Sequence, residues 1–200
     1  MLMEFNEGID GYDFMGKMKV TIFKSEECVP EGVMLPEQVH GNRVAILEAD
    51  QRNFEDCDAL ISSDQNLMFG VKTADCAPIC FADGSRVGVA HVGWRGLCLG
   101  LAQKMLLYFD KASLEIFVGP HLHTFEVKKD NCYTEIEKVF GTNFFTGEDG
   151  KIFFQFKEAL LSCLPEGVVF DQRSTGAEFG LPSHRLNGTK ERIITVVQFT

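Results

Sequence analysis

Apolar and polar positions along this chain do not keep one period. Val44–Leu47 is a short apolar run that reads as a strand, and Leu67–Ala74 is a second one leading into Asp75 and Cys76. Pro78–Ala82 and Arg86–Val92 flank Asp83-Gly84, which predicts a β-hairpin whose Asp-Gly pair supplies positive φ angles. The second arm alternates only weakly, and Gly88 within it lets another segment approach the backbone closely. Leu97–Phe109 is apolar almost all round, with Gln103 and Lys104 its clear polar positions, and predicts a buried helix. Leu114–Val118 is the next strand, ending at Gly119-Pro120. Asn131–Phe140 has apolar residues at helical spacing, with Asp130 to cap its start and Gly141 its end. Ile152–Leu164 predicts a third helix stopped by Pro165, and Ile193–Phe199 a terminal strand. Strands and helices mix without strict βαβ alternation. The expected class is therefore α+β: a single layered domain over residues 1–200, with mixed β-sheets flanked by helices.

Composition narrows the function. With 200 residues, 45% of them hydrophobic and 24% charged, the chain is not a disordered one and can bury a core without disulfides. Eighteen Phe suggest a core thick with aromatic rings. A net charge of −10 argues against coating nucleic acid or docking on anionic lipid. It also means that an anionic substrate needs a local cluster of Arg, Lys or backbone N–H groups. Seven scattered Cys without a CxxC pair read as reduced thiols of a cytoplasmic protein. The opening MLMEFNEGID has neither a basic region nor an apolar run, so it does not read as a signal peptide, and no apolar stretch is long enough to span a membrane.

Three segments place metal-competent or nucleophilic side chains beside Gly or Asp at expected element ends. They are Glu37-Gln38-Val39-His40-Gly41, Thr73-Ala74-Asp75-Cys76-Ala77-Pro78 and Ala90-His91-Val92-Gly93-Trp94-Arg95-Gly96. The imidazoles of His40 and His91 with the Cys76 thiolate make a three-ligand set that suits Zn²⁺, with copper possible, and leaves a fourth position open. Spacings this long do not fit a zinc knuckle but do fit a site assembled from several element ends. Gly93 and Gly96 bracket Arg95 at a helix start, an arrangement that can hold a phosphate or carboxylate. The competing account of that loop is a tight strand-to-helix turn. Asp75 and Glu37 are the acid–base candidates, and Arg185 can bring positive charge to an anionic ligand. His121 and His123 follow Gly-Pro and read as a structural or exposed loop pair, while Cys28, Cys57, Cys80, Cys98, Cys132 and Cys163 read as ordinary thiols.

In this order, QVHG, TADC-x-P and AHVGWRG resemble the laccase-domain family, also called multicopper-polyphenol-oxidoreductase-like or peptidoglycan-editing-factor proteins. Asp58-Ala59-Leu60-Ile61-Ser62, Gly119-Pro120 with Phe125-Glu126-Val127, and Ser183-His184-Arg185 are similar to further segments of that family. The resemblance implies a metal, usually zinc, on His40, Cys76 and His91, and phosphorolysis of purine nucleosides as the main activity. It implies small-molecule partners, a nucleoside and phosphate, with adenosine deamination and methylthioadenosine phosphorolysis among relatives. Phenol oxidation and peptidoglycan-precursor correction are also associated with the family. Five His are too few for a multicopper cluster, so an oxidase reading allows only a mononuclear copper site. A metal-free hydrolase acting on a peptidoglycan precursor, with Cys76 as nucleophile and His91 or His40 as base, is another alternative, and a non-enzymatic metal- or nucleoside-binding module a further one. The chain departs from the family pattern in having no Arg before Arg43, Ser174-Thr175 in place of a Cys-Thr pair, and His184 in place of Tyr.

Overall fold

A computed structural model describes residues 2–5, 9–14, 17–47 and 54–200. In chain order its elements are β1 (Leu2–Phe5), β2 (Ile9–Phe14), β3 (Met18–Phe23), β4 (Val44–Leu47), β5 (Ala59–Ser62), β6 (Met68–Thr73), β7 (Ala77–Ala82) and β8 (Val87–Val92). There follow α1 (Trp94–Cys98), α2 (Leu101–Leu106), β9 (Glu115–Val118), β10 (Phe125–Val127), α3 (Asn131–Phe140), β11 (Phe145–Glu148) and β12 (Lys151–Phe154). The chain ends with α4 (Phe156–Leu161), β13 (Val169–Phe170), α5 (His184–Asn187) and β14 (Ile193–Phe199). Among the described residues no helix is long and apolar enough to cross a membrane.

The architecture is α+β, with two large sheets and a small one. A five-stranded antiparallel sheet runs β1-β2-β3-β14-β6, a six-stranded mixed sheet β13-β9-β7-β8-β5-β4, and a three-stranded sheet β10-β12-β11. The two large sheets pack face to face: Val20, Phe69, Val71 and Val197 of the first meet Leu60, Cys80, Val89 and Phe117 of the second. The opposite face of the six-stranded sheet, with Ala59, Ile79, Phe81, Ala90 and Val118, packs on Leu97, Leu101, Ala102 and Met105 of the helices. β5, β7 and β8 are thus covered on both faces, and every residue in them is buried. That double burial is why the second hairpin arm alternates so weakly in sequence.

The hairpin β7–β8 forms as expected, but its turn is built differently. Only Gly84 has positive φ, at 85°. Asp83 closes the turn instead, its Oδ1 accepting from the N–H groups of Ser85 and Arg86. Gly88 does what its position suggested: a Cβ there would stand 2.9 Å from Phe109 and 3.0 Å from Met105, so the helical layer rests directly on the strand.

Two expected helices are corrected. Leu97–Phe109 is not one helix. Gly100 takes φ 73°, ψ 27°, which ends α1 and starts α2 on a new axis. The break turns Leu101, Ala102 and Met105 onto the sheet and leaves Leu99 and Leu107 exposed. Ile152–Leu164 begins as strand β12, where Ile152 to Phe154 pair with β10 and β11, and only Phe156–Leu161 is helical. The aromatic run satisfies a sheet edge before the helix starts. Helix α3 matches its expected bounds, with Asp130 accepting from Cys132 and Tyr133 N–H.

Candidate metal centre

Three chain segments end at one corner of the two large sheets. His40 lies in the loop before β4, Cys76 in the turn between β6 and β7, and His91 near the end of β8. The candidate ligand atoms of His40, Cys76 and His91 all lie within 4.8 Å of one another. The two imidazoles meet edge to face, with ring centroids 4.7 Å apart. His91 is buried at 3% exposure, while His40 is exposed and Cys76 half-buried, so the cluster opens to solvent on one side.

Asp58, just before β5, organises two of the three. Its Oδ1 accepts from His91 Nδ1 at 2.8 Å and from the His40 N–H at 2.9 Å. Its Oδ2 accepts from Gly41 N–H at 2.7 Å and Val39 N–H at 3.3 Å. The carboxylate is 0% exposed, so every lone pair is spent on the site. The Val39–Gly41 bonds hold His40 at φ 60°, a region that non-glycine residues rarely adopt. The His91 bond fixes which ring nitrogen is free: Nδ1–H is engaged, so Nε2 is the available donor. Burial disfavours the Asp58 carboxylate, but the hydrogen bonds from His91, Gly41 and His40 outweigh it and hold its pKa below the usual range.

Charges inside the cluster reinforce each other. Burial opposes ionisation of Cys76, yet the adjacent His91 charge and hydrogen bonds from both imidazoles bring the thiol down to about 6. Burial likewise disfavours a charged His91, but Cys76 and Asp58 raise it to about 9. Cys76 is thus disposed to be a thiolate at neutral pH, as a metal ligand must be. By contrast, burial pushes Cys57 up to about 11, Cys98 to about 12 and Cys80 higher still.

Both glycines of the loop after β8 are explained by close approach. A Cβ on Gly93 would stand 2.7 Å from Cys76 Sγ, and one on Gly96 would stand 3.2 Å from the Gly41 carbonyl oxygen. The loop therefore lies against the ligand segments, and α1 is a single five-residue turn. Arg95 is exposed and lies over the Trp94 ring at 5.0 Å, and Arg185 lies over Phe125 at 4.1 Å. A cavity of about 570 Å³ opens here, and its lining includes His40, Asp75 and Cys76 together with Trp94, Arg95, Phe125, Phe156 and Arg185.

Asp75 holds φ 86°, also unusual for a side-chain-bearing residue. Its Oδ1 accepts from Thr175 Oγ1 at 2.7 Å and Ser183 Oγ at 2.6 Å, and its Oδ2 from Arg185 N–H at 2.7 Å. It ties the C-terminal segment, and with it Arg185 and His184, to the ligand turn. Thr175 and Ser183 stand in segments similar to the family's, but their bonds to Asp75 are not readable from sequence, because the partners are 100 and 108 residues apart. Glu37 is exposed and lies outside both cavities that adjoin the cluster. His121 is fully buried and donates from Nδ1 to the Gly119 carbonyl, beside a half-buried His123.

The donor set fits a metal. Two imidazoles and a thiolate converge, one imidazole is oriented by a buried carboxylate, and the thiol is set to ionise. These are borderline-to-soft donors of the kind that zinc and copper take.

Comparison with known proteins finds relatives for this layered α+β chain and its His-Cys-His cluster. Residues 18–195 match the family of multi-copper polyphenol oxidoreductase laccases, and the chain belongs to that family. A purine nucleoside phosphorylase of Aquifex aeolicus is 32% identical over 175 residues, covering 84% of this chain and 82% of its own length. Purine nucleoside phosphorylase YfiH of Escherichia coli is 32% identical over 124 residues, and the match covers 51% of that protein, about half its length. A segment of 77 residues is 38% identical to adenosine deaminase RL5 from an unknown prokaryotic organism. Among solved structures, a Neisseria meningitidis protein of the DUF152 family superposes with a TM-score of 0.80 at 21% identity, over 96% of this chain and 99% of that one. YlmD from Geobacillus stearothermophilus does so at 0.72 and 22%, over 84% and 74%.

Proposed function

We propose that this chain is a metal-dependent purine nucleoside phosphorylase, with His40, Cys76 and His91 holding a zinc ion. The observation that carries the reading is the convergence of those three side chains beside a cavity that His40 and Cys76 line and that also presents aromatic rings and two guanidiniums. Relatives named as purine nucleoside phosphorylases support it.

Each part of the cavity has a task in that reaction. The half-buried Trp94 ring and the flat guanidiniums of Arg95 and Arg185, which lie over Trp94 and over the buried Phe125, offer surfaces on which a purine can stack. A volume near 570 Å³ is of the size that small-molecule ligands occupy. Gly93 and Gly96 let the backbone close on the ligand turn, so the substrate meets His40 and Cys76 without an intervening side chain. Asp75 is a positioning residue: its carboxylate is committed to Thr175, Ser183 and the Arg185 N–H, which holds the C-terminal segment against the ligand turn. When bound, the metal would act as a Lewis acid on a substrate oxygen or nitrogen. Asp58 keeps His91 in the tautomer that ligation needs and holds the His40 backbone in place.

The test is formation of ribose 1-phosphate from inosine or adenosine by the zinc-loaded protein. Phosphate-dependent release of the base supports the proposal. Its absence, with metal shown to be bound, refutes it. A second reading, adenosine deamination, is favoured by the relative named adenosine deaminase RL5. Conversion of adenosine to inosine without added phosphate would establish that activity separately. Sustained phenol oxidation by copper-loaded protein would favour the oxidase alternative, and electrophile labelling of Cys76 in metal-loaded protein the cysteine-hydrolase one.

A further inference from the structure

The ligand cluster stands between two cavities. The first is the aromatic one described above. The second, of about 580 Å³, adjoins it along His40, Ala74, Cys76 and His184, then continues over Lys72, Lys190 and Arg192. Its character is different. It contains no aromatic ring apart from the two shared imidazoles and His91, and it gathers three cations against one carboxylate, Glu26. In a chain of net charge −10, such a surplus of positive charge in one cavity is a local feature that attracts an anion.

The three cations are not equivalent. Lys72 is paired with Glu26 at 2.8 Å. Arg192 donates from Nη1 to the carbonyl oxygens of Thr189 and Glu191, contacts that orient the guanidinium without neutralising it. Lys190 makes no salt bridge among the described residues. Lys190 and Arg192 therefore carry the uncompensated charge, and both belong to the loop that leads from α5 into β14.

We propose that this second cavity is the phosphate subsite, with Lys190 and Arg192 as its anchors, while the purine occupies the aromatic cavity. The proposal rests on the phosphorolysis reading and deepens it. In phosphorolysis a phosphate oxygen forms a bond to C1′ of the ribose as the C1′–N9 bond breaks. The bonding pair leaves with N9, and the proton carried by hydrogen phosphate ends on the purine, so charge and atoms balance. Nucleophile and leaving group lie on opposite sides of C1′. Two cavities that meet at the Cys76–His40 wall, one built for a flat ring and one for an anion, match that requirement. A single cavity holding both ligands on the same side does not.

The test is steady-state kinetics of the zinc-loaded protein with each substrate varied in turn. Lys190→Glu is expected to raise the phosphate KM by on the order of tenfold or more, the loss of a charge-assisted contact, and to leave the nucleoside KM within about twofold. Arg95→Gln is expected to show the opposite split. A phosphate KM unmoved by Lys190→Glu but raised by Arg95→Gln overturns the assignment and moves phosphate to the aromatic cavity. If the wild-type protein shows no phosphorolysis, the parent reading fails, and titration with inorganic phosphate by calorimetry tests the subsite alone. Binding by wild type that is lost in Lys190→Glu sustains it. No binding by wild type, or binding unchanged by the substitution, overturns it.

Discussion

Asp58 gives the sharpest test of how the site is held together. Replacing it with Asn keeps the shape and removes the charge. One side-chain oxygen becomes an NH₂ group, which faces either the Gly41 and Val39 N–H groups or the His91 Nδ1–H and His40 N–H. Either way donors face donors in a spot that is 0% exposed. Breaking a buried, charge-assisted network of this kind costs about 3–5 kcal/mol of stability. The loss of the carboxylate behind His91 is expected to weaken metal affinity by roughly 10–100-fold. A fall in stability alone does not establish the second effect, so Asp83→Asn serves as the comparison. Asp83 is also a largely buried carboxylate that accepts several N–H bonds, but in the β7–β8 turn away from the cluster. Urea unfolding and competition for zinc with a chromophoric chelator separate the outcomes. Both variants are expected to lose stability, and only Asp58→Asn to lose zinc. Equal zinc affinity in the two variants would refute the argument that Asp58 sets the ligand geometry.

Further expectations follow from the same geometry. Gly93→Ala puts a Cβ 2.7 Å from Cys76 Sγ, so it is expected to displace the thiolate and reduce bound zinc, measured by elemental analysis, with little change in far-UV circular dichroism. Asp75→Ala releases Thr175, Ser183 and the Arg185 N–H, so hydrogen exchange in residues 174–188 is expected to speed up while zinc content is retained. Burial lowers the pKa of His121 to about 4, against about 6.5 unfolded. The unfolded chain therefore takes up that proton first. Stability is unaffected above pH 6.5 and falls as pH drops towards 4, by up to about 3 kcal/mol, a loss that His121→Gln is expected to remove in pH-dependent melts. In metal-free protein, alkylation of Cys76 is expected to rise through a midpoint near pH 6, and added zinc to suppress it.

How much of this was legible in the sequence depends on the range of the interactions. The strands Val44–Leu47 and Ile193–Phe199 and helix Asn131–Phe140 were readable because local pattern and caps agree with the fold. Leu97–Phe109 misleads because apolarity alone does not reveal that Gly100 will adopt a left-handed conformation, and Ile152–Leu164 because its first aromatics satisfy a sheet edge contributed by β10 and β11. His40, Cys76 and His91 stood out by residue type and by their place at element ends. Asp58 did not, since its role comes from the antiparallel register of β5 on β8, which sets it beside His91. The Lys190–Arg192 surplus was equally hidden, because a charged loop becomes a subsite only when the fold lays it against a cavity.

The claim beneath everything else is that two ring nitrogens and one sulfur share a single ion. Metal content per chain, measured on purified protein after zinc loading and dialysis, tests it most directly when Cys76→Ala is measured beside the wild type. The account predicts one zinc per wild-type chain and none retained by the variant, with both proteins folded by circular dichroism. A wild type that retains no metal, or a folded variant that holds it as tightly, would contradict it.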